Sequence, residues 1–326
     1  MATPSEVFTQ MVSTTLRHVD RGIADNVSKH NALYRRMKDK GKIRTVNGGY
    51  ECQVPLEYAE NNYQRYAGWQ PWNTDATDVI TSAKYDWSQA AVVVLANGRE
   101  LRVNSGEEAM VKLVKAKKSN AIKTAANGLS VDIYSDGSLP NQLGGLAHII
   151  QTNGQGTVGG INSTTFAFWR NKFKEASGTN AAASPDATKS AAFKADMNQL
   201  WLSLNRGSDK PDTIVFSHDF YSLYELGEQQ LQRYMDADRA DAGFTGLKYK
   251  SADVIFDDNT NFSSTAEKGY FLNTDYLYLE QFEDAKWSAD EERRPANQDG
   301  VVMPFLWQGA FVCANRSLQG VIFDAA

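Results

Sequence analysis

Gly154, Gly156 and Gly159 have the Gly-x-Gly-x-x-Gly spacing with which a strand-to-helix turn cradles a pyrophosphate, and they follow the strand-like His148-Ile149-Ile150. That chemistry needs a helix opening at the glycines, so that its N–H groups and dipole meet the phosphate. The residues that follow are Gly160-Ile161-Asn162-Ser163-Thr164-Thr165, β-branched and a poor helix start. An acidic residue ending a strand about 20 positions on would bind the ribose. Glu175 has the distance, but Trp169-Arg170-Asn171-Lys172-Phe173-Lys174 does not read as a strand end. The spacing is therefore read as a decoy, with a nucleotide-binding α/β enzyme using residues 154–160 as the rival class.

Other chemistry-bearing residues fail in the same way. Asp257-x-Asn259-x-Asn261 begins like a calcium loop, but Phe262 replaces the glycine and Lys268 the bidentate glutamate. His18, His30, His148 and His218 share no metal-ligand spacing. Ser217-His218-Asp219 has triad residue types, yet neighbours in sequence rarely form a triad and no nucleophile elbow is present. Ser217 is read instead as a helix N-cap. Asp236, Asp238 and Asp241 read as a solvated helix end or a subunit contact. Cys52 lies on the apolar side of a strand pattern, and with Cys313 it reads as a buried free thiol. No catalytic residue, metal or cofactor is expected.

The elements that would position any site suggest gripping rather than a pocket. Tyr50, Cys52, Val54, Leu56 and Tyr58 alternate with polar residues, the two-residue period of a half-buried strand. A long connection, Ala59 to Ser82, precedes a returning strand marked by Tyr85, Trp87, Ala91, Val93 and Leu95. Loops of that length usually have a function. Tyr63, Tyr66, Trp69 and Trp72 crowd it, with Arg65, the composition of an interface hot spot. A helix then opens at Asn104, with Glu107 completing a capping box, and stops at Asn127-Gly128. Lys112, Lys115, Lys118 and Lys123 share one broad arc of it, either a solvated face or a face toward polyanion.

Ser5 to Lys40 reads as a weakly amphipathic helical arm. The glycine-rich stretch from Ser135 to Gly160 marks a boundary. Phe193, Met197, Leu200, Trp201 and Leu204 predict a helix capped by Gly207, followed by a strand over Thr213 to Phe216 and another helix. Short strands dominate the rest: Val254 to Phe256, Tyr270 to Leu272, Tyr276 to Leu279, Phe311 to Cys313 and Val321 to Phe323. With 34 basic and 39 acidic residues the net charge is −5, which argues against a dedicated nucleic-acid binder. The first residues lack the basic and apolar regions of a signal peptide, and no run reaches the length of a membrane helix.

Taken in order, several segments resemble the major capsid proteins of tailed phages with the Hong Kong 97-type shell fold. They are Asn31-Ala32-Leu33-Tyr34 through Lys40-Gly41-Lys42-Ile43, Asn47-Gly48-Gly49 with Pro55-Leu56-Glu57-Tyr58, and Tyr66-Ala67-Gly68-Trp69. Further on come Ile133-Tyr134-Ser135-Asp136-Gly137 with Gly144-Gly145-Leu146, then Gly156-Thr157-Val158-Gly159-Gly160-Ile161 before Trp169-Arg170-Asn171. Gln308-Gly309-Ala310 and Asn315-Arg316-Ser317-Leu318-Gln319-Gly320 complete the set. No single motif is specific; their order and spacing are.

The resemblance implies an α+β Hong Kong 97-like capsid fold: an N-terminal arm (1–46), an extended β-hairpin loop with peripheral-domain strands (47–104), a long spine helix (105–134), an axial α/β domain (135–275) and return strands to the peripheral domain (276–326). It also implies self-assembly into pentamers and hexamers around phage double-stranded DNA, in a virion assembled in a bacterial cytoplasm. Residues Tyr63, Arg65, Tyr66, Trp69 and Trp72 would then contact neighbouring subunits. Lys112, Lys115, Lys118 and Lys123 would face packaged DNA through weak, non-specific contacts. Decoration, scaffolding and portal proteins are further implied partners; a membrane is not. Neither a scaffolding segment before the arm nor a lysine–asparagine crosslink pair can be assigned. An encapsulin-like, non-viral compartment shell is the alternative with the same fold.

Overall fold

The computed structural model describes residues 31–103, 107–176, 186–232, 247–257, 267–289, 293–294 and 299–324. The arm before residue 31, the start of the capping box at 104–106, the acidic positions 236, 238 and 241, and Asn259 and Asn261 lie outside them.

Two sheets carry the molecule. The first has four strands in the order β1 (Ile43–Val46), β12 (Leu277–Ala289), β13 (Gly300–Cys313) and β4 (Ser88–Asn97). β1 joins parallel to β12, and the remaining pairs are antiparallel. Against it lies the spine helix α3 (Glu107–Ile133), preceded by the short helix α2 (Gly98–Val103) and followed by the single turn α4 (Leu146–Ile149). Ala121 of α3 packs with Met303 and Phe305 of β13 and with Val92 and Val94 of β4.

The second sheet has six strands ordered β7 (Lys172–Glu175), β14 (Gly320–Phe323), β11 (Lys268–Leu272), β8 (Thr213–Phe216), β10 (Ala252–Phe256) and β9 (Leu247–Tyr249). Helices α5 (Ala187–Leu204) and α6 (His218–Gln232) cover one face, where Phe193, Met197, Leu200 and Trp201 pack on Phe216, Phe220, Phe271 and Ile322. The expected α/β subdomain is thus present, and the apolar positions at helical spacing are its core. The sheet's other face shares one continuous core with the first sheet. Val215, Tyr270, Leu272 and Val321 cluster there with Leu277, Leu279, Phe311 and the C-terminal end of α3 (Leu129, Ile133).

The short helix α1 (Ala32–Asp39) is pinned between these parts. Leu33 and Met37 enter the shared core. Arg36 pairs with Asp253, while Lys40 Nζ lies 2.6 Å from Asp212 Oδ2 and 2.8 Å from Thr213 Oγ1. Asn31 Nδ2 donates to Asn127 Oδ1 of the spine helix at 3.1 Å.

The structure corrects several expectations. The returning strand is two strands, β3 (Ile80–Tyr85) and β4, and in β4 Ala90, Val92 and Val94 turn inward while Ala91, Val93 and Leu95, which mark the strand in the sequence, face outward. Pairing Val92 with Phe305 and Val94 with Met303 turns those side chains toward α3, and a two-residue period sends the odd positions outward. The spine helix does not stop at Gly128, which has no left-handed backbone, because Ala121, Ala125, Leu129 and Ile133 continue a buried stripe at four-residue spacing. Gly207 (φ +60°) forms a tight turn between Arg206 and Asp209, and α5 ends instead at an extended Asn205. Ser217 does occupy the N-cap position of α6, its carbonyl accepting from Tyr221 N at 2.9 Å, and its hydroxyl also donates to Glu267. The segment 276–326 is divided: β12 and β13 join the four-stranded sheet, whereas β14 belongs to the six-stranded one.

Candidate assembly surface

Strands β2 (Cys52–Glu57) and β3 pair antiparallel from Cys52↔Tyr85 to Glu57↔Ile80. Cys52, Val54, Leu56, Ala83 and Tyr85 are buried, so the alternation seen in β2 does set its inward face. The root of this hairpin is held firmly. Tyr85 Oη donates to the Cys313 carbonyl at 2.7 Å, Lys84 N to the Gly159 carbonyl at 3.0 Å, and the Cys52 thiol lies 2.9 Å from Glu280 Oε2. Burial, then the Glu280 carboxylate, pushes the Cys52 thiol up to about 12. Burial likewise pushes Cys313 up to about 12. Both thiols stay protonated at neutral pH, in keeping with the free, unreactive reading.

The glycine motif has a structural role at this root. Thr157–Val158 (β5) and Ile161–Asn162 (β6) form a small hairpin across Gly159 and Gly160, whose φ values are +60° and +75°. Two consecutive left-handed residues are what a tight two-residue hairpin turn demands. A Cβ on Gly159 would sit 2.9 Å from that of Ala83, so glycine also permits the turn to lie against β3. A strand follows where a nucleotide site requires a helix, so the glycines do not form the pyrophosphate cradle on which the enzyme reading depends. The loop is braced from beneath by Arg316, which is wholly buried. Its guanidinium donates to the carbonyls of Ile149, Gln155 (2.8 Å) and Trp169 (3.3 Å) and to Ser163 Oγ (3.1 Å). Burial pulls its pKa down to about 10. Arg316 appears in the sequence only as part of a loose motif; nothing there announces a buried cation.

Beyond the Tyr58 N to Val79 O bond (3.0 Å) the ladder ends, and every residue from 59 to 78 is exposed. The loop nevertheless has internal order. Asn62 Nδ2 donates to the Asp75 carbonyl at 3.0 Å, Asn73 N to Gln64 Oε1 at 3.0 Å, and Gln70 N to the Ala67 carbonyl at 3.2 Å. Tyr66 and Trp72 meet edge to face at 5.6 Å, while Trp69 (103% exposed) and Tyr63 (84%) project without ring partners among the described residues. Arg65 is exposed and makes no ion pair among the described residues. Bare aromatic surface at this density is characteristic of binding surfaces rather than of solvated loops.

The sequence-predicted lysines lie elsewhere, on α3. Lys118 and Lys123 are half-exposed, and the side chains of Lys112 and Lys115 lie outside the described residues. At the root, a cleft of about 370 Å³ opens between Tyr58, Asp78 and Ile80 on one side and Ile161, Phe166 and Phe168 on the other. Sequence reasoning missed it. Among the described residues no cluster of three metal-ligating side chains occurs, and no helix is long and apolar enough to cross a membrane.

No protein-family model and no curated protein sequence matches the chain. Solved structures do. The chain is 14% identical to the cyanophage A-1(L) capsid subunit, at a TM-score of 0.65, over 96% of this chain and 98% of that one. It is 13% identical to a chain of the capsid of Myoviridae phage XM1, at a TM-score of 0.58, over 96% and 98%. The holo-SrpI encapsulin complex of Synechococcus elongatus PCC 7942 is 8% identical at a TM-score of 0.57, over 93% and 91%. The fold is therefore the Hong Kong 97-like α+β fold of phage shells.

Proposed function

We propose that this chain is a major capsid protein, which self-assembles into pentamers and hexamers of an icosahedral shell enclosing phage double-stranded DNA. The observation that carries the reading is end-to-end correspondence: phage capsid subunits cover nearly all of this chain, and it covers nearly all of them. The rest of the surface supports it. An ordered loop of about twenty residues that buries none of its own aromatics serves a function only when something else covers them, and in a closed shell that something is a neighbouring copy.

Assembly in this reading is physical and involves no bond-making step. The six-stranded domain surrounds the capsomer axis, and the arm and loop clamp adjacent subunits. The virion is the site of action. Decoration, scaffolding and portal proteins are candidate partners beyond the chain itself. The lysine arc on α3 faces the packaged DNA, and the overall negative charge of −5 keeps that contact weak enough for packing and release.

The test is negative-stain microscopy with light scattering on the expressed full chain. Closed particles in the megadalton range are expected. A small, fixed oligomer at every salt and protein concentration would overturn the proposal. Nuclease-protected DNA inside particles made during infection separates a phage shell from an encapsulin-like compartment, which would hold protein cargo instead.

A further inference from the structure

The loop carries two surfaces that match each other but do not meet within the chain. The middle of the loop carries Trp69 and Trp72, both exposed, with Arg65 four residues before Trp69. At its root is the cleft walled by Tyr58, Ile80, Ile161, Phe166 and Phe168, with Asp78 on the rim. The cleft's aromatic walls pack on one another, Tyr58 and Phe168 5.7 Å apart and Phe166 and Phe168 6.2 Å, and so present a preformed aromatic surface to a further ring. Its volume of about 370 Å³ has room for an indole. Phe166 and Ile80 remain 47% and 62% exposed, so the walls are bare.

The charges agree with the shapes. Arg65 is the sole basic residue between Tyr58 and Val79. Neither it nor Asp78 makes an ion pair among the described residues. Lys84, also on the cleft, is already taken by Glu51 at 3.0 Å. A cation at the tip and an anion at the root of one loop are therefore both left for an outside partner. The tip does not fold back on its own root, since residues 59 to 78 are all exposed.

We propose that the tip of one copy docks in the root cleft of the next: Trp69 or Trp72 packs in the cleft against Ile80, Phe166 and Phe168, and Arg65 pairs with Asp78. This deepens the capsid reading and rests on it, naming the surface that receives the loop. Each copy gives one tip and accepts one, a head-to-tail contact that closes into a ring when the rotation between copies closes. Both halves of the contact are encoded within, or packed against, a single hairpin.

A charge swap and a crosslink test it together. Arg65→Glu and Asp78→Arg, each alone, place like charges across the contact and should lower particle yield about tenfold or more; the double variant should restore it. In the full chain carrying Trp69→Cys and Ile80→Cys, mild oxidation should give a ladder of covalent multimers on a non-reducing gel. Either cysteine alone should give dimers at most. Cys52 and Cys313 are buried and do not interfere. Because all four positions are exposed, circular dichroism of each variant should match the parent. If the parent forms particles but the double swap is not rescued and no ladder appears, the tip docks elsewhere and this inference falls while the shell reading stands. If the parent forms no particles, both fall.

Discussion

Replacing Trp69 and Trp72 with alanine should weaken assembly and leave the subunit as stable as before. Trp69 is completely exposed and Trp72 is 64% exposed, so neither contributes to a core within the chain. The double replacement removes the edge-to-face pair of Trp72 with Tyr66, which is confined to the loop. A tryptophan offers roughly 200 Å², and burying about half of Trp69 alone at about 25 cal/mol per Å² gives roughly 2.5 kcal/mol per contact. That falls within the range of interface hot spots. If each subunit makes one such contact, the assembly threshold should rise roughly fifty- to hundredfold, since every 1.4 kcal/mol is a factor of ten. Light scattering against protein concentration reads the threshold, and thermal unfolding of the unassembled subunit reads stability. An unchanged threshold would show that the aromatics are not the clamp. A lowered melting temperature would show that they belong to the fold, and the reasoning from exposure would be wrong.

Arg316→Met should destabilise the subunit by at least about 3 kcal/mol in urea denaturation, because the buried carbonyls of Ile149 and Trp169 are left without their donor; a loss below about 1 kcal/mol would mean that water replaces the guanidinium. Cys52 and Cys313 should resist a thiol reagent at pH 8 in the native chain and react after unfolding. With both thiols pushed up to about 12, only about one in ten thousand is ionised there; rapid native labelling would contradict the burial. Exchanging Lys112, Lys115, Lys118 and Lys123 for glutamine should leave shell formation intact while reducing the DNA retained by particles and flattening its salt dependence. Failure to assemble would place those lysines in a subunit interface instead.

The parts of the fold legible in the sequence are those where one face is polar. β2 alternates cleanly because Glu51, Gln53, Pro55 and Glu57 mark the outward side, and the structure buries Cys52, Val54 and Leu56. In β4 the run Ala90-Ala91-Val92-Val93-Val94-Leu95 is apolar on both faces, so the period carries no sign, and the partner strand β13 decides which side turns in. The long strands β12 and β13 read in the sequence as two short pieces for a related reason. Glu280 to Lys286 and Pro304 lack strand-like composition, and only pairing between strands extends them. Likewise the aromatic tip is visible because its residues sit within ten positions of each other, whereas the cleft draws its walls from residues about a hundred positions apart. A surface made by one segment can be read from that segment; one made by three cannot.

The order within the loop bears on how it can work. Its polar side chains, Asn62, Gln64 and Asn73, bond the loop's own backbone rather than solvent alone. These bonds hold the loop in one shape before any partner arrives, which lowers the entropy cost of fixing it on contact. A floppy loop with the same tryptophans would lose much of their apolar gain on docking. A loop welded to its neighbour by a larger apolar patch would trap misplaced subunits. Docked as proposed, one aromatic tip per copy with one ion pair to set its register would give contacts weak enough to reverse singly and strong when closed around a ring. Loosening the loop should therefore mimic removal of its aromatics. Asn62→Ala and Asn73→Ala leave every tryptophan in place, yet the assembly threshold should rise; if it stays put, order in the loop is incidental and the tryptophans act alone.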